Sequence, residues 1–352
     1  MNRLTTPPLP YNDRGGRELP NTKHRERYNS LDGLRSIAAF GIVIMHVQAN
    51  MTDKPILGYV SSPIISSLGM FVLLFMILSA FSMCCGYYER VKNRLITPNE
   101  FYTRRARRIL PFFAVMTIID VIFEHNLSSV CEGFSNLTLF FNFFQREIKV
   151  IGVGWFIGVV CVFYMIFPCF VALMDNKKRA VIVSVISVIL TILAVDYFKI
   201  DYRENFSLYF PFFAVGGLIY LYREDIIKLV SKVYLAVFLL CSLVTITYFV
   251  VPIRDPLTLR LGQLVLFSCW TCFAIAKDNN VLSNKVAKFI SGISMEIYLS
   301  HMLVFRVAQK FHITDLTSNI AANYVLVCIF TLVGASIFAY IVKYKIINKI
   351  LQ

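Results

Sequence analysis

Ser30-Leu-Asp-Gly-Leu-Arg-Ser-Ile-Ala-Ala-Phe-Gly-Ile-Val-Ile-Met-His-Val47 opens with one acid and one arginine, continues as small and apolar residues, and ends at a single histidine. Asn29 and Ser30 are both good N-caps, and Asp32 in the first turn suits the helix dipole. A stretch of about 18 residues with so little charge is long enough to cross a bilayer as a helix. Similar apolar runs recur to the C-terminus, and they predict further spans at 63–85, 107–123, 151–174, 180–198, 206–222, 234–251, 259–276, 293–311 and 320–342. The expected fold is therefore all-α: a polytopic integral membrane protein of about ten transmembrane helices.

The composition agrees with this pattern. With 57% of 352 residues hydrophobic and 16% charged, the chain has too little polar surface to cover a water-soluble globule. Its formal charge of +14 does not point to nucleic acid, because the lysines and arginines fall in alternate inter-helix segments. Arg90, Lys92, Arg94, Arg104, Arg105, Arg107 and Arg108 flank the second and third spans; Lys177, Lys178 and Arg179, then Arg223, Lys228 and Lys232, then Lys277, Lys285 and Lys288, then Lys343, Lys345 and Lys349 follow. By the positive-inside rule both termini are expected in the cytoplasm. Residues 1–28 read as a disordered basic cytoplasmic tail and 29–352 as one membrane domain. The run 134–145 is apolar but too short to cross, which predicts an interfacial or re-entrant piece on the outer side. The cysteines form no spaced framework, and no metal site is expected.

Ionisable side chains inside a span cost about 2.5 to 3.5 kcal/mol each on insertion scales, so each needs a reason. Arg35 and His46 are separated by about three helical turns, or about 16 Å of rise, and project from nearly the same face. That geometry suits an anionic donor gripped at the cytoplasmic rim, with a neutral imidazole at mid-membrane as general base. The plain alternative for His46 is a buried histidine bonded between helices. In Phe101-Tyr-Thr-Arg-Arg-Ala-Arg-Arg-Ile-Leu-Pro111, Arg104, Arg107 and Arg108 share one helix face. Guanidinium forks there match the phosphates of coenzyme A, or else anchor lipid head groups. Ser294, Tyr298 and His301 form a polar stripe on the ninth span, with His301 at a depth similar to His46. Glu296 falls on another face near the cytoplasmic end and is expected to pair with a basic loop residue.

These residues resemble the acyltransferase type 3 family of membrane proteins, which O-acylate surface glycans. Tyr28-Asn-Ser-Leu-Asp-Gly-Leu-Arg-Ser-Ile-Ala-Ala with His46 is similar to the family's opening motif, a basic residue followed after ten others by histidine. The arginine run before the third span, Gly154-Trp-Phe-Ile-Gly with Phe163-Tyr-Met-Ile-Phe-Pro in the fourth, and Ser294-Met-Glu-Ile-Tyr-Leu-Ser-His in the ninth resemble its later segments. The fourth-span residues are similar to the capsule and exopolysaccharide branch. Val160 and Cys161 stand where many relatives carry a glutamate pair.

The resemblance implies an O-acyltransferase of the plasma membrane. It would take an acyl group, acetyl above all, from acyl-CoA to a hydroxyl of a polysaccharide or lipid-linked glycan, with capsule or exopolysaccharide assembly proteins as further partners. It implies His46 and His301 as catalytic, Arg35, Arg104, Arg105, Arg107 and Arg108 as donor-binding, and Trp155 and Tyr298 as acceptor-binding. An exporter of a lipid-linked glycan is the competing expectation, since it too uses many spans and a basic inner face.

Overall fold

The computed structural model describes residues 27–53, 64–138, 151–200, 205–251 and 255–350, and contains no strand among them. In chain order the helices are α1 (Ser30–Asn50), α2 (Leu68–Lys92), α3 (Pro98–Glu124), α4 (Leu127–Leu137), α5 (Trp155–Leu173), α6 (Lys177–Tyr197), α7 (Phe206–Leu221), α8 (Arg223–Lys232), α9 (Tyr234–Val250), α10 (Pro256–Ala276), α11 (Lys285–Gly292), α12 (Ser294–Lys310) and α13 (Ile320–Ile350).

All ten predicted spans are helical, and the chain is an all-α polytopic membrane protein. Six of the described helices, α1, α2, α5, α6, α10 and α13, are long and apolar enough to cross a membrane on their own. A seventh is counted if α8 and α9, bent by 99° at their junction, form one broken span. The other three depart for physical reasons: α3 carries four arginines, α7 is short, and the 17-residue α12 holds Glu296, Arg306 and Lys310.

Local chemistry moves several boundaries. Neither predicted cap closes α1 with its side chain. Instead the Ser30 hydroxyl donates to the Lys277 carbonyl and accepts from the Asn279 amide, and Asn29 donates to Asp278, so both residues tie α1 to the chain after α10. Helix α3 begins at Pro98 rather than near 107, because Thr97 and Glu100 form a reciprocal capping box around a proline at the first helical position. The apolar piece predicted at 134–145 lies in part outside the described residues. Its beginning belongs to α4, which turns back at His125 and packs on α3, with Gly133 against Val121 and Thr117. Of the predicted tail, residues 1–26 lie outside the described residues.

Helix α1 is the hub, touching α2, α10, α11, α12 and α13. Its small residues allow this. A Cβ on Gly33 would come within 2.5 Å of the Leu282 carbonyl oxygen, and one on Gly41 within 2.4 Å of the Phe71 ring. The apolar stretch of α1 is 67% buried against 33% for α6, which places α1 inside and leaves α6 facing lipid with Val181, Ile182, Val185 and Ile189.

The basic inter-helix segments meet at one end of the bundle. Lys92 donates to the Asp175 carbonyl at 2.6 Å, Lys177 pairs with Asp225, and Lys343 donates to the Gly292 carbonyl at 2.5 Å. At the opposite end the Asp120 carboxylate accepts the Ile151 amide at 2.6 Å and Thr191 donates to the Ser207 carbonyl at 3.0 Å. This is the alternation that loop charge predicts.

The α2–α7 contact is close enough to test. A Cβ on Gly216 would meet the Ile77 carbonyl oxygen at 2.4 Å and the Ala80 Cβ at 2.7 Å, whereas one on Gly292 meets nothing nearer than 3.8 Å. Gly216→Val is expected to destabilise by about 1–3 kcal/mol and Gly292→Ala by less than about 0.5, read as thermal unfolding in detergent.

Candidate functional site

Helices α1 and α12 lie side by side and bring His46 and His301 into contact. The ring centroids are 4.9 Å apart, and His301 Nε2 stands 3.2 Å from His46 Nδ1. His301 is wholly buried and His46 half-buried. The partners assign the tautomers. His301 Nδ1 lies 2.6 Å from the Tyr298 carbonyl oxygen, which can only accept, so this nitrogen carries the proton. Its Nε2 is then the acceptor for His46 Nδ1–H, which also points at the Ile42 carbonyl oxygen 3.0 Å away. The remaining nitrogen of His46, Nε2, bears the lone pair. Charge on both rings at once would be strongly disfavoured at this distance in an apolar interior, so the two are not protonated together.

A cavity of about 290 Å³ opens from the basic end and is lined by α1, α2, α3, α5, α11 and α12. Along α2 its lining runs from Tyr87 inward to Phe75, about 18 Å of helix. Arg35, Arg105 and Arg108 stand in its wall with Ser82, Tyr87 and Tyr164, while Phe75, Phe156 and Tyr298 line its deeper part. His46 and His301 are not in the lining; Tyr298 separates them from it, its ring centroid 5.9 Å from that of His301. A second hollow, about 370 Å³, lies on the other side of Arg35 among Arg27, Tyr28, Asp32 and Phe81.

The structure divides the arginines. Arg35 reaches across to α2, donating to the Ser82 hydroxyl, and stands 3.6 Å from Asp32. Arg105 donates to the Tyr87 hydroxyl at 2.6 Å and lies over the Tyr87 ring at 4.6 Å, leaving its buried Nε without a partner among the described residues. Arg108 pairs with Glu296 at 3.2 Å. Arg104 and Arg107 are exposed and line no part of the cavity. The cavity side of α3 carries Arg105 and Arg108, so of the expected trio of Arg104, Arg107 and Arg108 only Arg108, itself 40% exposed at its side chain, lines the cavity. Trp155 is also outside the cavity: it packs on Phe156 and Tyr209, and its neighbour Phe156 takes the place in the wall. Tyr298 is brought to the site, its hydroxyl donating to the Val153 carbonyl at 2.8 Å.

Two carboxylates organise the mouth. Asp32 accepts from Ser291 at 2.7 Å and from Arg27 at 3.0 Å while facing Arg35. Glu296, 2% exposed at its side chain, pairs with Lys343 at 2.7 Å as well as Arg108, and its second oxygen is buried without a partner among the described residues. Glu296 thus has basic partners, but they come from two helices, α3 and α13, and not from a loop as expected. Sequence reading did not single out Asp120 or Arg306, which pair at 2.6 Å near the opposite end. Two opposite charges embedded in apolar helices were the available signal.

With this geometry in place, comparison with known families gives a match over residues 28–340 to the acyltransferase type 3 family, described as an acyltransferase domain; the chain belongs to that family. It is a multi-pass membrane acyltransferase. No curated protein and no solved structure matches.

Removing the acid from the mouth leaves Lys343 and Arg108 without their buried counter-charge. Glu296→Ala is expected to cost about 3–5 kcal/mol and Glu296→Gln clearly less, measured by thermal unfolding of the purified protein.

Proposed function

We propose that this protein moves an acetyl group from acetyl-CoA to a hydroxyl of a cell-surface polysaccharide or its lipid-linked precursor, at the plasma membrane, with the basic end in the cytoplasm. The observation that carries the reading is the pairing of two imidazoles just beyond the inner end of a cavity whose mouth holds three arginines.

Arg35, Arg105 and Arg108 hold the donor's phosphates at the mouth, where guanidinium forks suit anionic oxygens. The acyl end reaches inward past Tyr298. His46 Nε2 takes the proton of the acceptor hydroxyl as the oxygen attacks the thioester carbonyl. The tetrahedral intermediate collapses, the C–S bond breaks, and the sulfur leaves with the proton that His46 returns. The products are the ester and free coenzyme A, so the pair ends as it began. His301 acts through His46: its Nε2 accepts Nδ1–H and steadies the imidazolium formed in transit.

Three features support transfer over passive passage of a glycan: the assigned tautomers, the graded lining from cations to aromatics, and family membership. Acceptor-dependent release of coenzyme A from acetyl-CoA by the purified protein is expected to fall at least about a hundredfold in His46→Ala, the scale of a lost general base. Arg105→Ala with Arg108→Ala is expected to raise KM for acetyl-CoA with kcat little changed, since grips far from the reacting bond act on binding. Glycan movement across vesicles without coenzyme A release would speak for an exporter instead.

A further inference from the structure

Asp120 sits on α3 far from the arginine mouth, its side chain 8% exposed in an otherwise apolar stretch. One of its oxygens accepts from Arg306 on α12 at 2.6 Å; the other accepts the backbone amide of Ile151 at 2.6 Å. Ile151 has φ of 50°, the left-handed region that a β-branched residue rarely adopts and that strains the backbone. The turn it begins is closed by the Gly154 amide donating to the Ile151 carbonyl at 2.7 Å. Gly154 is needed there, because a Cβ would press on that carbonyl at 3.0 Å and on the Phe113 ring at 3.3 Å.

The middle of this strained turn faces the site. The Val153 carbonyl accepts the Tyr298 hydroxyl at 2.8 Å, the Tyr298 carbonyl accepts His301 Nδ1–H at 2.6 Å, and His301 Nε2 accepts from His46 Nδ1 at 3.2 Å. Asp120 thus grips two partners that both end at the histidine pair: the turn that holds the Tyr298 hydroxyl, and α12 itself, one turn beyond His301. A carboxylate in apolar surroundings is expensive unless both oxygens are satisfied, and here both are.

We propose that Asp120 is a positioning residue for the reaction, fixing the Ile151–Gly154 turn and α12 so that Tyr298 and His301 hold His46 with its Nε2 lone pair presented. Strain concentrated beside a site and held by one buried carboxylate is what such preorganisation requires. The inference rests on His46 being the base.

A double-mutant cycle tests it on the full-length protein in nanodiscs, with acetyl-CoA as donor and the glycan fraction of the producing cells' membranes as acceptor. Asp120→Asn and Tyr298→Phe are each expected to lower kcat about tenfold or more, with KM for acetyl-CoA within about twofold. Acting through one chain, the double variant is expected to lose little more than the worse single. Losses that multiply, a rise in KM at unchanged kcat, or an Asp120→Asn enzyme of full activity would overturn the proposal while His46→Ala remains inactive. Full activity in His46→Ala would remove the underlying reading as well. Should Asp120→Asn fail to fold, Asp120→Glu, which keeps the charge but displaces it, takes its place in the cycle with the same expected outcomes.

Discussion

The contact between His46 and His301 is the constraint around which the rest is arranged. Two imidazoles 3.2 Å apart inside an apolar bundle can share one hydrogen bond only if one donates and the other accepts. The Tyr298 carbonyl settles which does which, and that choice passes to His46 through the shared proton. A water-filled interior would let both rings turn and exchange tautomers. Here the closeness of α1 to its five neighbours, made possible by Gly33 and Gly41, leaves them little freedom.

Charge is distributed to serve that apolar centre. The acids that enter the bundle are each matched: Asp32 with Arg27 and Arg35, Glu296 with Lys343 and Arg108, Asp120 with Arg306. The first two sets stand at the basic end and shape a mouth that is cationic yet tied in place. Arg105 adds a guanidinium held against Tyr87, with one buried N–H still able to donate. An anion arriving there exchanges hydration for several prepared donors, whereas an apolar group travelling deeper meets Phe75 and Phe156. In the proposed reading, that gradient matches a long donor with an anionic end and an apolar end.

Much of this was legible in the chain. Apolar run length gave the helices and loop charge gave their alternation, because both follow from the bilayer rather than from tertiary detail. His46, His301 and Arg35 stood out since a polar group in a span must be explained. The i, i+3, i+4 spacing of Arg104, Arg107 and Arg108 identifies neighbours without saying which of them line a cavity. The apolar stripe through Phe101, Phe112 and Met116 is what sets Arg105 and Arg108 apart from Arg104 and Arg107. The early start of α3 was written in Thr97-Pro-Asn-Glu100, a capping box with proline at its first position. What no local pattern could supply was the long-range pairing: Lys343 with Glu296, Asp120 with Arg306, and the Ile151 turn under Tyr298 all join segments far apart in sequence.

The central claim is that a thioester gripped at the arginine mouth presents its acyl carbon beside the histidine pair. A photoreactive acyl-CoA with a diazirine in the acyl chain, irradiated on the intact protein and followed by peptide mass spectrometry, addresses it directly. The account predicts labels near His46 on α1 and around Tyr298 on α12, suppressed by excess coenzyme A. Labels confined to the lipid-facing residues of α6 or α9, unaffected by coenzyme A, would contradict it.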